Sequence, residues 1–223
     1  MRPAALLFDF GGTLDARGVP WKERFASAFA AEGVAPAPAV FDRASNDADD
    51  ALVGTLPRAL GLAVTVERLA VGVAANLGVG EAGVAARAGA RFLADARACL
   101  AESADLLARL AARHRIGVVS NFYGNLAAVL EEAGLAPHVS VAVDSEVVGA
   151  TKPDAAIFRA ALDALGLAVK DALFVGDSAR RDMAGAKALG MPHVLLAANG
   201  GAAVCCPGDR VIPRLSALEE LLA

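Results

Sequence analysis

Four short apolar runs in this chain each lead to a polar residue able to do chemistry. Asp9 follows ALLF and precedes Gly11, Gly12 and Thr13; Ser120 and Asn121 follow GVV. Thr151-Lys152-Pro153-Asp154 stands in the loop after a third run, and Gly176-Asp177-Ser178 closes a fourth, with Asp182 five residues beyond Asp177. Carboxylate oxygens are hard ligands of the kind that Mg²⁺ takes while keeping several waters. A lysine beside them neutralises phosphoryl oxygens, a serine hydroxyl donates a hydrogen bond, and glycines let backbone N–H groups approach an oxyanion. Together these residue types describe a phosphate site built around a divalent cation. A carboxylate there can attack phosphorus to give an aspartyl-phosphate, which water then clears.

Such a site forms only if the fold brings these residues to one edge. AALLFDF, residues 4–10, reads as a buried strand ended by Gly11-Gly12. From Trp21 to Ala112 no convincing strand is found, and the helical spacing with Gly and Pro punctuation predicts four or five helices. The rhythm then changes: helix ADLLARLAARH, strand RIGVVS, helix GNLAAVLEEAG, strand VSVAVDS, helix DAAIFRAALDALG, strand ALFVGD, helix RRDMAGAKALG and strand HVLLAA. Strands separated by crossover helices pair in parallel with right-handed connections. The expectation is an α/β fold, a doubly wound, Rossmann-like parallel sheet that binds ligands at the carboxyl ends of its strands. Residues 1–15 and 101–223 form the core, and residues 16–100 an inserted all-α domain.

Composition narrows the class. The 223 residues allow one core domain and an insertion, 56% of them are hydrophobic, and the mean hydropathy is +0.49. With 21 basic against 25 acidic residues and no basic stripe, nucleic acid is not the expected partner. No apolar run reaches the ~18 charge-free residues of a membrane span, and the stretch before Asp9 is too short for a secretory signal. Cys99, Cys205 and Cys206 are odd in number and lack metal-ligand spacing, as in a reduced cytoplasmic protein. The expected partner is a small phosphorylated metabolite and the expected state a monomer or homodimer. His114, His138 and His193 gain no catalytic role.

The motifs resemble those of the haloacid dehalogenase-like hydrolases, in the subclass with a helical cap inserted after the first motif. LLFDFGGTLD resembles the family's nucleophile motif, VVSN its serine or threonine motif, GATKPDAAIF its lysine motif and LFVGDSARRDMAGAKALGM its acidic metal motif. The resemblance implies that Asp9 is the nucleophile and a Mg²⁺ ligand, with Gly11 giving its carbonyl and Asp177 a carboxylate. Asp182 would support the metal. Ser120 and Lys152 would hold the phosphoryl group, with Gly12, Thr13 and Asn121 alongside in the substrate site. One departure stands out. Family phosphatases carry a second aspartate two residues after the nucleophile, as general acid and base, and here that position is Gly11.

Such an acid contributes roughly 10²–10⁴-fold, so three readings follow. The first is a Mg²⁺-dependent phosphatase, slowed by Gly11 or rescued by another carboxylate. Asp15 is the nearest candidate, although a turn or helix-capping aspartate reads the same. Asp47, Asp49 and Asp50 of the cap are others, in an acidic run that usually marks a solvated face. The second is a metal-independent 2-haloacid dehalogenase, whose family members also lack that aspartate, but the retained Asp177 and Asp182 argue for metal. The third is a catalytically weak phosphate-binding or regulatory protein. Lys22 reads as a surface residue and Trp21 and Tyr123 as packing residues, with substrate contact the alternative for Tyr123, which lies just past Asn121.

Overall fold

The computed structural model describes residues 3–81, 83–198 and 210–223. Cys205 and Cys206 lie outside them; Cys99 is a buried free thiol. The first strand, β1 (Ala5–Phe8), is buried at all its positions, which is why it is a continuous apolar run. Ala5 and Leu7 enter one apolar cluster, Leu6 and Phe8 the other, the alternation that a strand imposes.

Four helices follow: α1 (Trp21–Ala31), α2 (Pro38–Leu52), α3 (Leu62–Asn76) and α4 (Val84–Ala111). The chain continues with β2 (Arg115–Ser120), α5 (Leu126–Glu132), β3 (Val141–Asp144), the single turn α6 (Ser145–Val148), α7 (Ala155–Leu165) and β4 (Ala172–Gly176). It ends with α8 (Ala184–Ala188), β5 (His193–Leu196), β6 (Arg210–Ile212) and α9 (Ala217–Leu222). The helix expected over ADLLARLAARH is not separate. It is the end of α4, which runs through position 100 because no Gly or Pro interrupts residues 90–111. The short edge strand β6 was not among the expected strands.

The six strands pair in parallel in the order β3-β2-β1-β4-β5-β6. From β1 the chain steps outward through β2 and β3, then returns to the other side of β1 with β4. The strand order therefore reverses beside β1, and the carboxyl ends of β1, β2 and β4 meet where such sheets bind ligands. One sheet face packs on α7 and α8 through Phe158, Phe174, Met183 and Ala186. The other face continues without a break into the inserted helices, from Phe8 and Phe10 to Phe25, Phe29 and Phe92. Each such ring contributes about 1.5–3 kcal/mol when fully buried, so cap and sheet share one apolar core. Among the described residues, no helix is long and apolar enough to cross a membrane.

Candidate active site

The backbone leaves β1 through an irregular turn at residues 10–14, in which Gly12 adopts φ +90°. That angle suits glycine, and close approach demands it as well: a Cβ on Gly12 would stand 2.5 Å from Asp177 Oδ2. The turn thereby lets the end of β4 come up against the end of β1. Asp9 Oδ1 accepts three hydrogen bonds or ion-pair contacts, from the Phe10 N–H at 2.7 Å, the Ser120 hydroxyl at 2.9 Å and Lys152 Nζ at 2.7 Å. Lys152 Nζ also reaches Asp182 Oδ1 at 2.7 Å. Asp182 Oδ2 accepts the Ser178 N–H at 2.9 Å, and Thr13 donates its hydroxyl to Asp177 Oδ1 at 2.9 Å. Ligand oxygens of Asp9, Asp177 and Asp182 all lie within 4.8 Å of one another.

Three carboxylates crowd one ammonium, and their electrostatics show it. Burial, then the charges of Asp9 and Asp182, push the Asp177 carboxyl up to about 8. Burial raises Asp182 to about 6 against the pull of Lys152. Burial opposes the charge on Lys152, but Asp182 and Asp9 outweigh it and hold the ammonium above its ordinary value. Two aspartates that favour their neutral forms in the fold bind more protons there than in the unfolded chain. Stability then falls with pH by linkage. In chelator the stability that these two carboxyls contribute is expected to be full below pH 3.8 and to be lost as pH rises through about 6 and about 8. Mg²⁺ should raise the melting temperature more at pH 8 than at pH 5. Thermal melts across that range check this; a melting temperature flat in pH, with and without Mg²⁺, would contradict it.

Several expected roles change once the partners are seen. Gly12 N–H donates to Asp15 Oδ1 at 2.7 Å, and the Thr13 hydroxyl is engaged with Asp177, so neither of these groups faces an oxyanion. Asn121 braces the lysine loop: its Oδ1 accepts the Lys152 N–H at 2.7 Å and its Nδ2 donates to the Lys152 carbonyl at 3.2 Å. Asp15, considered as a substitute acid, is fully buried and its oxygens are engaged by Gly12, the Trp21 indole N–H at 2.6 Å and Arg24 at 2.8 Å. Burial raises its pKa while Arg24 opposes the rise. It is a clamp between the nucleophile turn and α1. Trp21 and Arg24 stand three apart on one face of α1, and that spacing was the signal available in the sequence.

The position of the missing aspartate is defined by Trp21. A Cβ at Gly11 would lie 3.1 Å from the indole Nε1 and 3.3 Å from Cδ1. The ring is held edge-on against Phe25, Phe92 and Phe122. The backbone at Gly11 is ordinary, with φ −74°, so contact with the indole decides the outcome. Gly11→Asp is expected to cost about 1–3 kcal/mol by overpacking, measured by urea denaturation. A variant as stable as wild type would show that the indole yields freely.

In the cap, Asp47, Asp49 and Asp50 are all exposed, and Asp49 accepts a hydrogen bond from the Tyr123 hydroxyl of the core. Protein packed around Asp49 raises its pKa, against the opposing effects of Tyr123 and Arg181. Tyr123 is thus tied to the cap, and its own pKa is pushed well up by burial and by Asp49.

Comparison with known proteins agrees with this architecture. The phosphoglycolate phosphatase of Rhodospirillum rubrum is 45% identical over 93 residues, which are 41% of this chain and 38% of that protein. The match thus spans less than half of that relative's length. Among solved structures, the HAD-hydrolase YfnB of Bacillus subtilis, bound to magnesium, superposes with a TM-score of 0.62 at 19% identity, covering 100% of this chain and 99% of YfnB. L-2-haloacid dehalogenase of Xanthobacter autotrophicus gives 0.61 at 19% identity, over 99% and 98% of the two chains. At such identities the structures establish the shared fold. The profile of the haloacid dehalogenase-like hydrolases matches residues 3–190, most of the sequence, and the chain belongs to that family.

Proposed function

We propose that this chain is a Mg²⁺-dependent phosphatase acting on a small organic phosphate through an aspartyl-phosphate at Asp9. The observation that carries the reading is the buried cluster in which Lys152 joins Asp9 to Asp182, with Asp177 alongside and Ser120 on the same Asp9 oxygen. Three carboxylates around one ammonium leave negative charge for a cation to neutralise, and an oxygen-only set fits Mg²⁺. Asp9, Asp177 and Asp182, with the Gly11 carbonyl, would hold it, and it would supply charge neutralisation and orientation of the phosphoryl oxygens. The phosphatase relative and the magnesium-bound neighbour support the same reading.

The chain's own residues supply the remaining steps. All three contacts to Asp9 fall on Oδ1, which fixes the carboxylate plane and leaves Oδ2 to attack phosphorus. The Oδ2–P bond forms as the bond from phosphorus to the leaving oxygen breaks. Lys152 and Ser120 stabilise the phosphoryl oxygens in this step. Water then attacks phosphorus, breaks the bond to Oδ2 and releases inorganic phosphate. Residue 11 provides no proton for the leaving oxygen. Esters whose leaving group departs as a stable anion, such as aryl phosphates, are therefore the favoured probes.

Gly11 and the aromatic surface of Trp21 and Phe122 beside it also favour one second reading, a metal-independent dehalogenase. Phosphate release from p-nitrophenyl phosphate and halide release from 2-chloropropionate, each with Mg²⁺ and with chelator, separate the two. Phosphate release that disappears in chelator is the expected result. Halide release that survives chelation would replace the phosphatase reading.

A further inference from the structure

The structure points to Asp49 of the cap as the proton donor to the leaving group, standing in for the carboxyl missing at residue 11; this rests on the phosphatase reading above. Its position follows from the sheet order. β2 and β4 flank β1, whose end carries Asp9. Tyr123, three residues past the end of β2, donates its hydroxyl hydrogen bond to Asp49. Arg181, in the turn that follows β4, lies close enough to act on the charges of both Asp49 and Tyr123. The Tyr123 hydrogen bond thus brings Asp49 to the loop that follows β2, the strand whose last residue, Ser120, donates to Asp9. Just past α2, Gly54 approaches α6 of the core, where a Cβ would lie 3.2 Å from Glu146 Oε1.

Two further properties suit the role. The Asp49 residue is exposed, so a substrate can reach it. The surroundings also favour its protonated form, which a general acid needs. The charged and titratable groups acting on it are Asp50 on its own helix, Tyr123 from the loop after β2 and Arg181 from the turn after β4. Of the other carboxyls considered, Asp15 is sealed in its clamp and Asp47 is taken up in an i,i+4 pair with Arg43. In the proposed step the Asp49 O–H bond breaks as its proton passes to the departing ester oxygen. The resulting carboxylate regains its proton from solvent between turnovers.

The test compares the full chain with Asp49→Asn and Tyr123→Phe in saturating Mg²⁺, on p-nitrophenyl, phenyl and simple alkyl phosphates. Asp49→Asn should lower kcat on alkyl phosphates by roughly 10²–10⁴-fold and change kcat on p-nitrophenyl phosphate by no more than about threefold, because that leaving group needs little protonation. The alkaline limb of the alkyl-phosphate pH profile should vanish with it. Tyr123→Phe removes a hydrogen bond that favours the Asp49 carboxylate, and should move that limb upward by roughly one pH unit. Equal losses on every ester, or an unmoved limb in Tyr123→Phe, would make the pair a cap latch and overturn the assignment while leaving the phosphatase reading intact. Wild type inactive on every ester with Mg²⁺ would overturn both.

Discussion

Asp9→Asn is expected to lower phosphatase turnover by at least roughly 10⁴-fold, the order lost when a covalent nucleophile is removed, while the fold is retained. The asparagine oxygen can still accept from the Ser120 hydroxyl and the Phe10 N–H, so the end of β1 keeps those contacts. Lys152 keeps its ion pair with Asp182. What disappears is an anionic oxygen able to form the bond to phosphorus. Removing one of three crowded carboxylates also relieves repulsion, because Asp9 is among the causes that raise both Asp177 and Asp182. In chelator at pH 8 the variant should therefore melt at or above the wild-type temperature. A large loss of activity together with a large loss of stability would instead mark Asp9 as a structural anchor. Steady-state assays and melts on the same preparation distinguish the two.

The second large effect concerns the clamp. Arg24→Met is expected to cost about 3–5 kcal/mol of stability, the usual penalty for removing one partner of a buried ion pair. The Arg24 and Asp15 side chains are only 8% and 0% exposed. Arg24 also reaches Asp95 at 3.0 Å and lies 4.1 Å from the centre of the Phe92 ring. Methionine keeps much of the apolar contact but leaves Asp15 buried without its cation. Asp15 would then take up a proton, so the loss should be smaller at pH 5 than at pH 8. The pair is not valuable in isolation: Arg24→Met with Asp15→Asn should recover part of the loss, since the uncompensated charge is gone. Urea denaturation of the two single variants and the double variant measures the coupling. Strict additivity would mean that the pair contributes only through separate contacts.

The two effects show which parts of the site the sequence discloses. Asp9, Ser120, Lys152, Asp177 and Asp182 were legible because each follows a recognisable strand or stands in the loop after one. A parallel sheet brings such positions to one edge whatever the details of packing. The strands themselves were legible as apolar runs; β6 was not, being a three-residue edge with two of its residues exposed. The partners of Gly12, Thr13, Asn121 and Asp15 were not legible, because the direction of a hydrogen bond depends on what the fold sets opposite. Asn121 and Thr13 have the same donors and acceptors whether they face a phosphate or, as here, a loop backbone and a carboxylate. Trp21 read as packing, which it is, yet it also occupies the space beside Gly11. Asp49 was one of three equivalent cap aspartates until the Tyr123 hydroxyl distinguished it.

The boundary between cap and core was the least legible feature. Composition separates the alternating strands from the helical middle, but α4 passes from one to the other as a single helix. The apolar cluster likewise runs from Phe8 to Phe92 without a break. Together with the buried Asp15 clamp and the hydrogen bonds Asp49–Tyr123 and Asn125–Thr65, this ties the inserted helices to the core at several places.

The central claim is that Asp9 transfers a phosphoryl group with the help of a cation held by Asp177 and Asp182. Its most direct measurement is turnover of p-nitrophenyl phosphate in ¹⁸O-labelled water with Mg²⁺, followed by mass analysis of the released phosphate and of the peptide that carries Asp9. The account predicts labelled phosphate, an unlabelled Asp9 carboxylate, and no product in chelator. Label appearing in the Asp9 carboxylate, which requires water to attack its carbon, or phosphate release that persists in Asp9→Asn, would contradict it.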